Sequence, residues 1–281
     1  MLRGIVVSKE FRNIGLSKIL LNHIFDKYTK NIAMFLLWSD LIDLYNKFDF
    51  HLSIGQIEYS CSQSDSKKNH NNHYLITKTL YKSISHSEKK QIHELYRNII
   101  EQQYTTFHRE KTDWELIEKI TSADLFIITN IQNQKQSTDS QIVAYYFANK
   151  GQDLKNVVHE FAILNEHQSS ILPIIFEQNP HAKIWLPESG STNFFDAKFE
   201  KKYMGLIKIG DKKIFLNFIH QWSNEEIKIK SINNNNITFT YNKQIYFETI
   251  EKFLTFIFGP NPLSEWKHYG KPIFISGLDS I

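Results

Sequence analysis

The sequence predicts an α/β protein built from two consecutive units, in each of which helices flank a mixed β-sheet. Short β-branched or aromatic runs alternate with segments whose apolar residues recur at helical spacing. The chain has 281 residues, more than the usual domain length of about 100–200 residues. A polar stretch without periodicity, Ser60–Asn72, separates the two series of elements and indicates an exposed loop.

The first series begins with the β-branched run Gly4–Val7 and a polar segment that ends at Gly15. A strand at Met34–Trp38, a helix that contains Tyr45 and an extended segment at His51–Tyr59 complete this series. Between Gly15 and the first of these strands we expect an amphipathic helix. Its apolar face is formed by Leu16, Ile19, Leu20, Ile24 and Tyr28.

The junction Arg12–Ser17 is the strongest candidate for a binding site in the sequence. The hydrophobic period changes there from that of a strand to that of a helix. A helix that begins at this point offers unpaired backbone N–H groups and the positive end of its dipole to an anion. The other interpretation is an ordinary connection between a strand and a helix.

The second series begins at Ser87 with a helix, and a shorter helix around Trp114 follows. Strands are then predicted at Leu125–Thr129, Ile142–Ala148 and Val157–Leu164, followed by a helix at His167–Gln178 and a strand at Lys183–Leu186.

The remaining residues, 201–281, have a weaker pattern, and we expect them to extend the second domain. Asn233–Asn236 is typical of a hairpin turn, because asparagine tolerates a positive φ. The elements predicted in this part are strands at Met204–Ile209 and Lys213–Phe218, the hairpin strands Ile227–Ile232 and Ile237–Tyr241, a helix within Phe247–Phe258 and a last strand at Ile273–Ile275.

Composition excludes several classes of function. The net charge is only +3, which gives no strong case for nucleic acid or an anionic membrane as a partner. No apolar run approaches the roughly 18–20 residues of a membrane span, and the opening residues are too few for a signal peptide. Cys61 is the only cysteine, so the sequence favours a cytoplasmic, reducing location. Cys61, His70 and His73 match no standard zinc spacing, and we predict no metal site.

Two segments of the first series resemble motifs of the GCN5-related N-acetyltransferase superfamily. Arg12-Asn13-Ile14-Gly15-Leu16-Ser17 resembles the Arg/Gln-x-x-Gly-x-Gly/Ala loop that holds the pyrophosphate of acetyl-CoA. Tyr45–Phe50 is similar to the family's Tyr-x-x-x-Gly-Phe segment, in which the tyrosine commonly serves as general acid. Ser17 and Asp49 depart from the pattern, but serine is small and aspartate tolerates a left-handed backbone.

The resemblance implies that acetyl-CoA is a co-substrate and that no metal is required. The acceptor would be an amine of a small molecule or of a protein, and Tyr45 would protonate the departing thiolate. Tyr45 has an alternative role as a core aromatic residue of its helix. The cofactor-binding residues implied are Ile5, Val6 and Val7, which would pair with the pantetheine arm, and Arg12, Asn13, Ile14, Gly15, Leu16 and Ser17, which would hold the diphosphate.

Ser87–Ile209 resembles a second, diverged domain of the same family, because its elements follow the family's order. Leu164–Ser170 contains no glycine, and we therefore expect this domain not to bind CoA in the usual way. His159 and Glu160 are candidates for a general base pair. The simpler interpretation is that one of them is buried with a partner and the other is solvated.

The predicted organisation is a partial cofactor-binding core at residues 1–59, a linker with one strand at 60–86 and a diverged domain with a C-terminal extension at 87–281. The family's core follows further elements that the first unit lacks. Its sheet therefore has an open edge that the second domain or another chain of an oligomer would need to cover. Two functions remain open: an N-acetyltransferase, and a catalytically inactive module that binds acyl-CoA or a protein.

Overall fold

A computed structural model of the chain describes residues 7–60, 73–131, 141–187, 198–233, 235–259 and 272–279. The helices are α1 Leu16–Tyr28, α2 Ile42–Asn46, α3 His86–Leu95, α4 Glu101–Gln103, α5 Lys111–Ile117, α6 Gln168–Gln178, α7 Lys212–Trp222 and α8 Ile250–Phe258. A π-helical turn, Tyr96–Ile100, joins α3 to α4.

The strands occur in runs of one to three between these helices, within the α/β class that the sequence predicts. They are β1 Met34–Trp38, β2 His51–Ser60, β3 Tyr74–Thr79, β4 Asp124–Asn130, β5 Ile142–Ala148, β6 Val157–Ile163, β7 Lys183–Pro187, β8 Lys198–Ile209, β9 Lys228–Asn233, β10 Asn236–Tyr241 and β11 Gln244–Thr249.

The chain forms two compact units, and both are discontinuous in sequence. The first unit comprises Met1–Gln56 and Lys201–Gly270, and the second comprises Ile57–Glu200 and Lys271–Ile281. The first change of unit, within β2, lies close to the boundary predicted after residue 59. The later residues differ from the prediction, because most of the expected C-terminal extension of the second domain belongs to the first unit.

In the first unit, β1 pairs with β8 in antiparallel register from Met34↔Ile209 to Trp38↔Gly205. Helix α1 packs on these strands through a core cluster whose buried members are Leu21, Phe25, Phe35, Leu37, Tyr45, Phe50 and Leu206. A separate antiparallel sheet has the order β11-β10-β9. Strands β9 and β10 pair as the two strands of the hairpin predicted on either side of the asparagine run.

The position predicted for α1 is right, but most of its predicted apolar face is wrong, because only Ile24 of those residues packs against the core. Leu21 and Phe25 are the buried residues of this helix, and the Phe25 ring meets Phe35 edge-on at 5.1 Å. Ile19 is 63% exposed and Leu20 is 45% exposed. Leu21 and Phe25 are four residues apart and therefore lie on the same face of the helix, and this face, which carries the large aromatic side chain, packs on β1.

Two other predictions for the last third of the chain are wrong. Lys213–Phe218 is part of α7 and not a strand, and the Asp211 side chain caps this helix by accepting a hydrogen bond from the Ile214 N–H at 2.9 Å. The segment around Ile273 forms a single bridge to Thr105 and no strand.

The second unit contains a mixed sheet in the order β7-β6-β5-β4-β3. Strands β3 to β6 are antiparallel neighbours, and β6 and β7 are parallel. Helices α3 and α5 cover one face through Ile92, Leu95 and Trp114. Helix α6 covers the other face through Ile171 and Ile175. The sheet is therefore enclosed by helices on both faces, as expected for an α/β unit.

Candidate functional site

The segment Arg12–Ser17 forms a left-handed turn that leads into α1. Asn13 has φ +67 and Gly15 has φ +85, which are values that glycine and asparagine adopt most readily. Gly15 is the N-cap residue of α1. Apart from the glycine itself and its two neighbours in the chain, no described residue has a heavy atom within 4 Å of the position that a Cβ of Gly15 would occupy. The turn therefore leaves open space beside the start of the helix.

The N-terminus of α1 has backbone N–H groups that find no acceptor among the described residues. No side chain caps it, and its first turn contains no acidic residue. The first backbone bond runs from the Ile19 N–H to the Gly15 carbonyl at 3.1 Å. The N–H groups of Leu16, Ser17 and Lys18 precede it and make no hydrogen bond to any residue that the structure describes. Such a helix start favours an anion.

Arg12 is exposed, and it contacts the chain that precedes the turn. Its Nε donates a hydrogen bond to the Val7 carbonyl at 3.0 Å, which ties the two sides of the loop together. Ile14 is 63% exposed beside it. Ile5 and Val6, which we expect to pair with the pantetheine arm, lie outside the described residues, and Val7 is in irregular backbone.

Tyr45 lies on α2 with its ring in the core of the first unit and 8% of its surface exposed. The ring meets Phe50 edge-on at 6.0 Å, and it shares a hydrophobic cluster with Leu21 of α1. Burial raises the pKa of its hydroxyl, so the group keeps its proton at neutral pH. Within the described chain this hydroxyl makes no hydrogen bond, which leaves its proton available to a ligand.

The turn after α2 accommodates the departure from glycine at Asp49. This residue has φ +61, and the Phe50 N–H returns to the Tyr45 carbonyl at 3.2 Å. Aspartate is one of the residues that tolerate this conformation. Asp49 also forms an ion pair with Lys208 of β8 at 3.1 Å.

His159 and Glu160 do not form the base pair suggested by their sequence position. Both side chains are fully buried, so the alternative with one solvated residue is also wrong. The His159 Nε2–H donates to the Asn149 carbonyl at 2.9 Å, and burial lowers the pKa of this histidine to about 4. Opposite these residues, the pairing of β5 with β6 shifts register between Phe147 and Ala148. Such an irregularity interrupts the alternation of successive side chains between the two faces of the sheet.

Glu160 belongs to a buried charge cluster that sequence reasoning missed. The Arg109 guanidinium donates to Glu160 at 3.0 Å and to Asp279 at 2.9 Å. Tyr145 donates its hydroxyl hydrogen to Glu160 at 2.9 Å. Burial raises the pKa of the Glu160 carboxyl, but the Arg109 charge and the hydrogen bonds outweigh that effect and hold it below its usual range. The carboxylate is thus committed to an ion pair and is a poor proton acceptor.

Arg109 is held between two aromatic rings. Its guanidinium carbon lies 4.1 Å from the Tyr96 ring centre and 4.9 Å from that of Trp114. Nothing in the local sequence around Arg109 indicates this role, because its partners are 51 and 170 residues away.

The described residues contain no group of three or more His, Cys, Asp or Glu side chains that could hold a metal ion. Cys61 and His70 lie outside them. No helix among the described residues is both long and apolar enough to cross a bilayer.

The second unit is a mixed sheet enclosed by helices, and the first contains a left-handed turn that leads into α1. No protein-family model matches the chain, and no curated protein matches it in sequence. Solved structures do match. A probable N-acyltransferase from Enterococcus faecalis has a TM-score of 0.56 and 12% identity, over 90% of this chain and 70% of that one.

Two further structures support the same assignment. A GCN5-related N-acetyltransferase from Anabaena variabilis has a TM-score of 0.52 and 12% identity, over 95% of this chain and 77% of its own. One from Kribbella flavida has a TM-score of 0.53 and 9% identity, over 98% and 78%. The chain therefore has the fold of the GCN5-related N-acetyltransferases. The resemblance to this superfamily that the sequence motifs indicate is confirmed at the level of fold.

Proposed function

We propose that the protein is an acetyl-CoA-dependent N-acetyltransferase whose co-substrate binds at Arg12–Ser17. The observation that carries the proposal is the left-handed turn at Gly15 before an uncapped helix start. Backbone N–H groups in this geometry suit a diphosphate, because they supply hydrogen bonds and the positive end of the helix dipole together. The open space beside Gly15 lets a phosphate approach the backbone.

In the proposed reaction, the amine of the acceptor attacks the carbonyl carbon of the thioester, the new C–N bond forms and the C–S bond breaks. Tyr45 gives its phenolic proton to the departing thiolate, and the proton of the amine passes to solvent. The raised pKa of Tyr45 supports this role, since the phenol remains protonated until charge develops on sulfur. The acceptor is an amine of a small molecule or a protein.

A second function is favoured by a different observation. Large apolar side chains around the loop are exposed, namely Phe11 at 53%, Ile14 at 63% and Leu16 at 40%. Clustered exposed apolar residues often mark a surface that binds another protein. An inactive module that binds acyl-CoA or a protein partner is therefore the alternative.

Calorimetric titration of acetyl-CoA into the full chain tests the binding proposal with a matched pair of variants, Gly15→Asp and Gly15→Asn. Both residues tolerate a positive φ and both can cap a helix, so they differ mainly in charge. A carboxylate about 4 Å from a phosphate opposes binding by about 1–4 kcal/mol. We expect Gly15→Asp to bind about five-fold more weakly than Gly15→Asn, or worse.

Equal affinity of the two variants would mean that the diphosphate lies elsewhere. No binding by the unmutated chain would favour the protein-interaction module. If binding is found, Tyr45→Phe should lower the rate of thiol release with a panel of amines by about 10²–10⁴-fold, with nearly unchanged acetyl-CoA affinity. An unchanged rate would remove Tyr45 from the mechanism.

A further inference from the structure

The three-stranded sheet of the first unit ends at an edge strand, β11, which pairs only with β10 among the residues that the structure describes. Asn242 and Lys243 connect the two strands, and their φ values of 48° and 63° are typical of a type I′ turn. The register is regular along the whole of β11. The strand therefore has no bulge, and it contains no proline. Bulges and prolines are two of the features by which proteins usually protect an exposed edge.

The backbone along this edge has hydrogen-bonding groups that find no partner among the described residues. In an antiparallel pair of strands, alternate residues bond to the neighbouring strand. The two-residue turn makes Tyr241↔Gln244 the first bonded pair, and at the other end of the same series the Ile250 N–H donates to the Asn235 carbonyl at 2.8 Å. The intervening residues therefore direct their N–H and C=O groups away from β10. These residues are Ile245, Phe247 and Thr249.

Two large apolar side chains lie on the outer face of this edge. The inner face of the sheet packs on α8, where Phe239 of β10 meets Phe253 at 4.8 Å, and Tyr246 stacks on Phe239 at 5.0 Å. Ile245 and Phe247 alternate with Tyr246 and are 64% and 69% exposed. An edge strand that combines free backbone groups with exposed apolar side chains is a template for pairing with another strand.

The charges at the two ends of β11 favour a second copy of the same strand as the partner. Lys243 lies in the turn before the strand and Glu251 in the first turn of the helix after it, and both are exposed. Neither side chain forms an ion pair with a residue that the structure describes. When two copies of a strand pair in antiparallel orientation, the first end of each lies beside the last end of the other. Lys243 of each copy then lies beside the partner's Glu251, which is a complementary arrangement of charge.

We propose that two copies of this chain associate through β11, by antiparallel pairing about a two-fold axis at Phe247. Phe247 then lies opposite the partner's Phe247 and Ile245 opposite the partner's Thr249, so residues whose backbone groups point outward meet each other. Each such pair can exchange two hydrogen bonds, and the exposed apolar side chains of both copies lie on one face of the joined sheet. A single pair of strands is a small interface, so the dimer dissociates on dilution. The proposal does not depend on acetyl-CoA binding.

Analytical ultracentrifugation of the full chain over a dilution series tests this interface. We expect the mass to fall from that of two chains at about 0.5 mM towards that of one chain at about 1 μM. Phe247→Lys places a positive charge opposite the same charge of the partner and should weaken association by about ten-fold or more. Leu116→Lys adds the same charge at an exposed leucine of α5 in the second unit, and this matched control should associate as the unmutated chain does. A chain that stays monomeric throughout the series, or equal effects of the two variants, would overturn the proposal.

Two charge variants, Lys243→Glu and Glu251→Lys, test the antiparallel orientation. Burial lowers the pKa of His51, a neighbour of Glu251, so this histidine is uncharged at pH 8. At that pH each variant brings like charges together at both ends of the paired strands and should associate with itself about 2–10-fold more weakly.

Mixed in equal amounts, the two charge variants should associate with each other about as well as the unmutated chain does with itself, because opposite charges meet again at both ends. Only contact between copies explains a recovery on mixing, since a defect in folding would persist in the mixture. A mixture that stays as weak as its components would refute the pairing. Gly15→Asp should dimerise as the unmutated chain does, which separates this interface from the proposed acetyl-CoA site.

Discussion

Replacing Arg109 by methionine should strongly destabilise the second unit. The Arg109 side chain is 1% exposed, and its partners Glu160 and Asp279 are 0% and 7% exposed. Methionine can still pack between Tyr96 and Trp114, so the change mainly leaves two carboxylates buried without a counter-charge. Removing one member of a buried ion pair costs about 3–5 kcal/mol of unfolding free energy.

Asp279→Asn provides the comparison, because it leaves a neutral Arg109–Glu160 pair. Its cost should be smaller, about 1–3 kcal/mol for a weakened hydrogen bond to a charged group. Hydrogen–deuterium exchange of the β5 and β6 amides, followed against urea concentration, reports the stability of this unit. We expect Arg109→Met to be clearly the more destabilising of the two.

The pH dependence separates loss of charge pairing from loss of packing. Without Arg109, burial raises the pKa of both carboxyls above their unfolded values, so this variant loses stability as pH rises through those folded pKa values. The deficit of Arg109→Met should therefore be larger at pH 8 than at pH 5. A deficit below about 1 kcal/mol that does not change with pH would show that the cluster behaves as an exposed ion pair, and the reasoning would fail.

Two further predictions concern the residues around this cluster. Gly277→Ala should lower the unfolding free energy by about 1–3 kcal/mol, because the added Cβ would lie 2.6 Å from the His159 Cγ. The same exchange experiment measures this change. Gly151→Asn, at a position with open space around it, is the control and should leave the unfolding free energy nearly unchanged. Burial lowers the pKa values of His159 and His93 to about 4, below the value in the unfolded chain. Their contribution to the unfolding free energy is therefore fully present above about pH 6.5 and is lost as the pH falls towards 4. The loss is up to about 1.4 kcal/mol per pH unit for each histidine. In thermal unfolding measured at several pH values, His159→Gln should lose less stability between about pH 6.5 and about pH 4 than the unmutated chain does. The same loss in both proteins would show that His159 does not cause this pH dependence.

Local sequence patterns predict the structure correctly where the conformation depends on a residue itself or on its near neighbours in the chain. Met34–Trp38 is a strand with the predicted bounds, because a short apolar and aromatic run has few alternatives to a buried strand. The left-handed conformation of Asp49 follows from the steric freedom of a single residue type. The helix α7 could have been recognised from Asp211, a good N-cap placed before it.

The rest depends on contacts between distant residues. The buried face of α1 is selected by Phe35 of β1 and not by the helix's own pattern. Arg109 meets its partners only after the sheet has formed, and no spacing in the sequence predicts that. The assignment of residues 201–270 to the first unit is likewise a property of the folded chain. At the candidate site, the sequence predicts the turn and the helix, while the roles of Tyr45 and of the loop stay predictions.

The division of both units into separate segments has a consequence for synthesis on the ribosome. The second unit needs Asp279 to complete the charge cluster around Arg109, 170 residues earlier in the chain. When Glu160 has been synthesised, Asp279 is still missing, and the polypeptide must add the whole of the first unit's second segment, Lys201–Gly270, before the cluster can close. Such long separations slow folding and prolong the life of incomplete species. A contiguous fragment that stops at residue 200 would leave Arg109 with only one carboxylate partner.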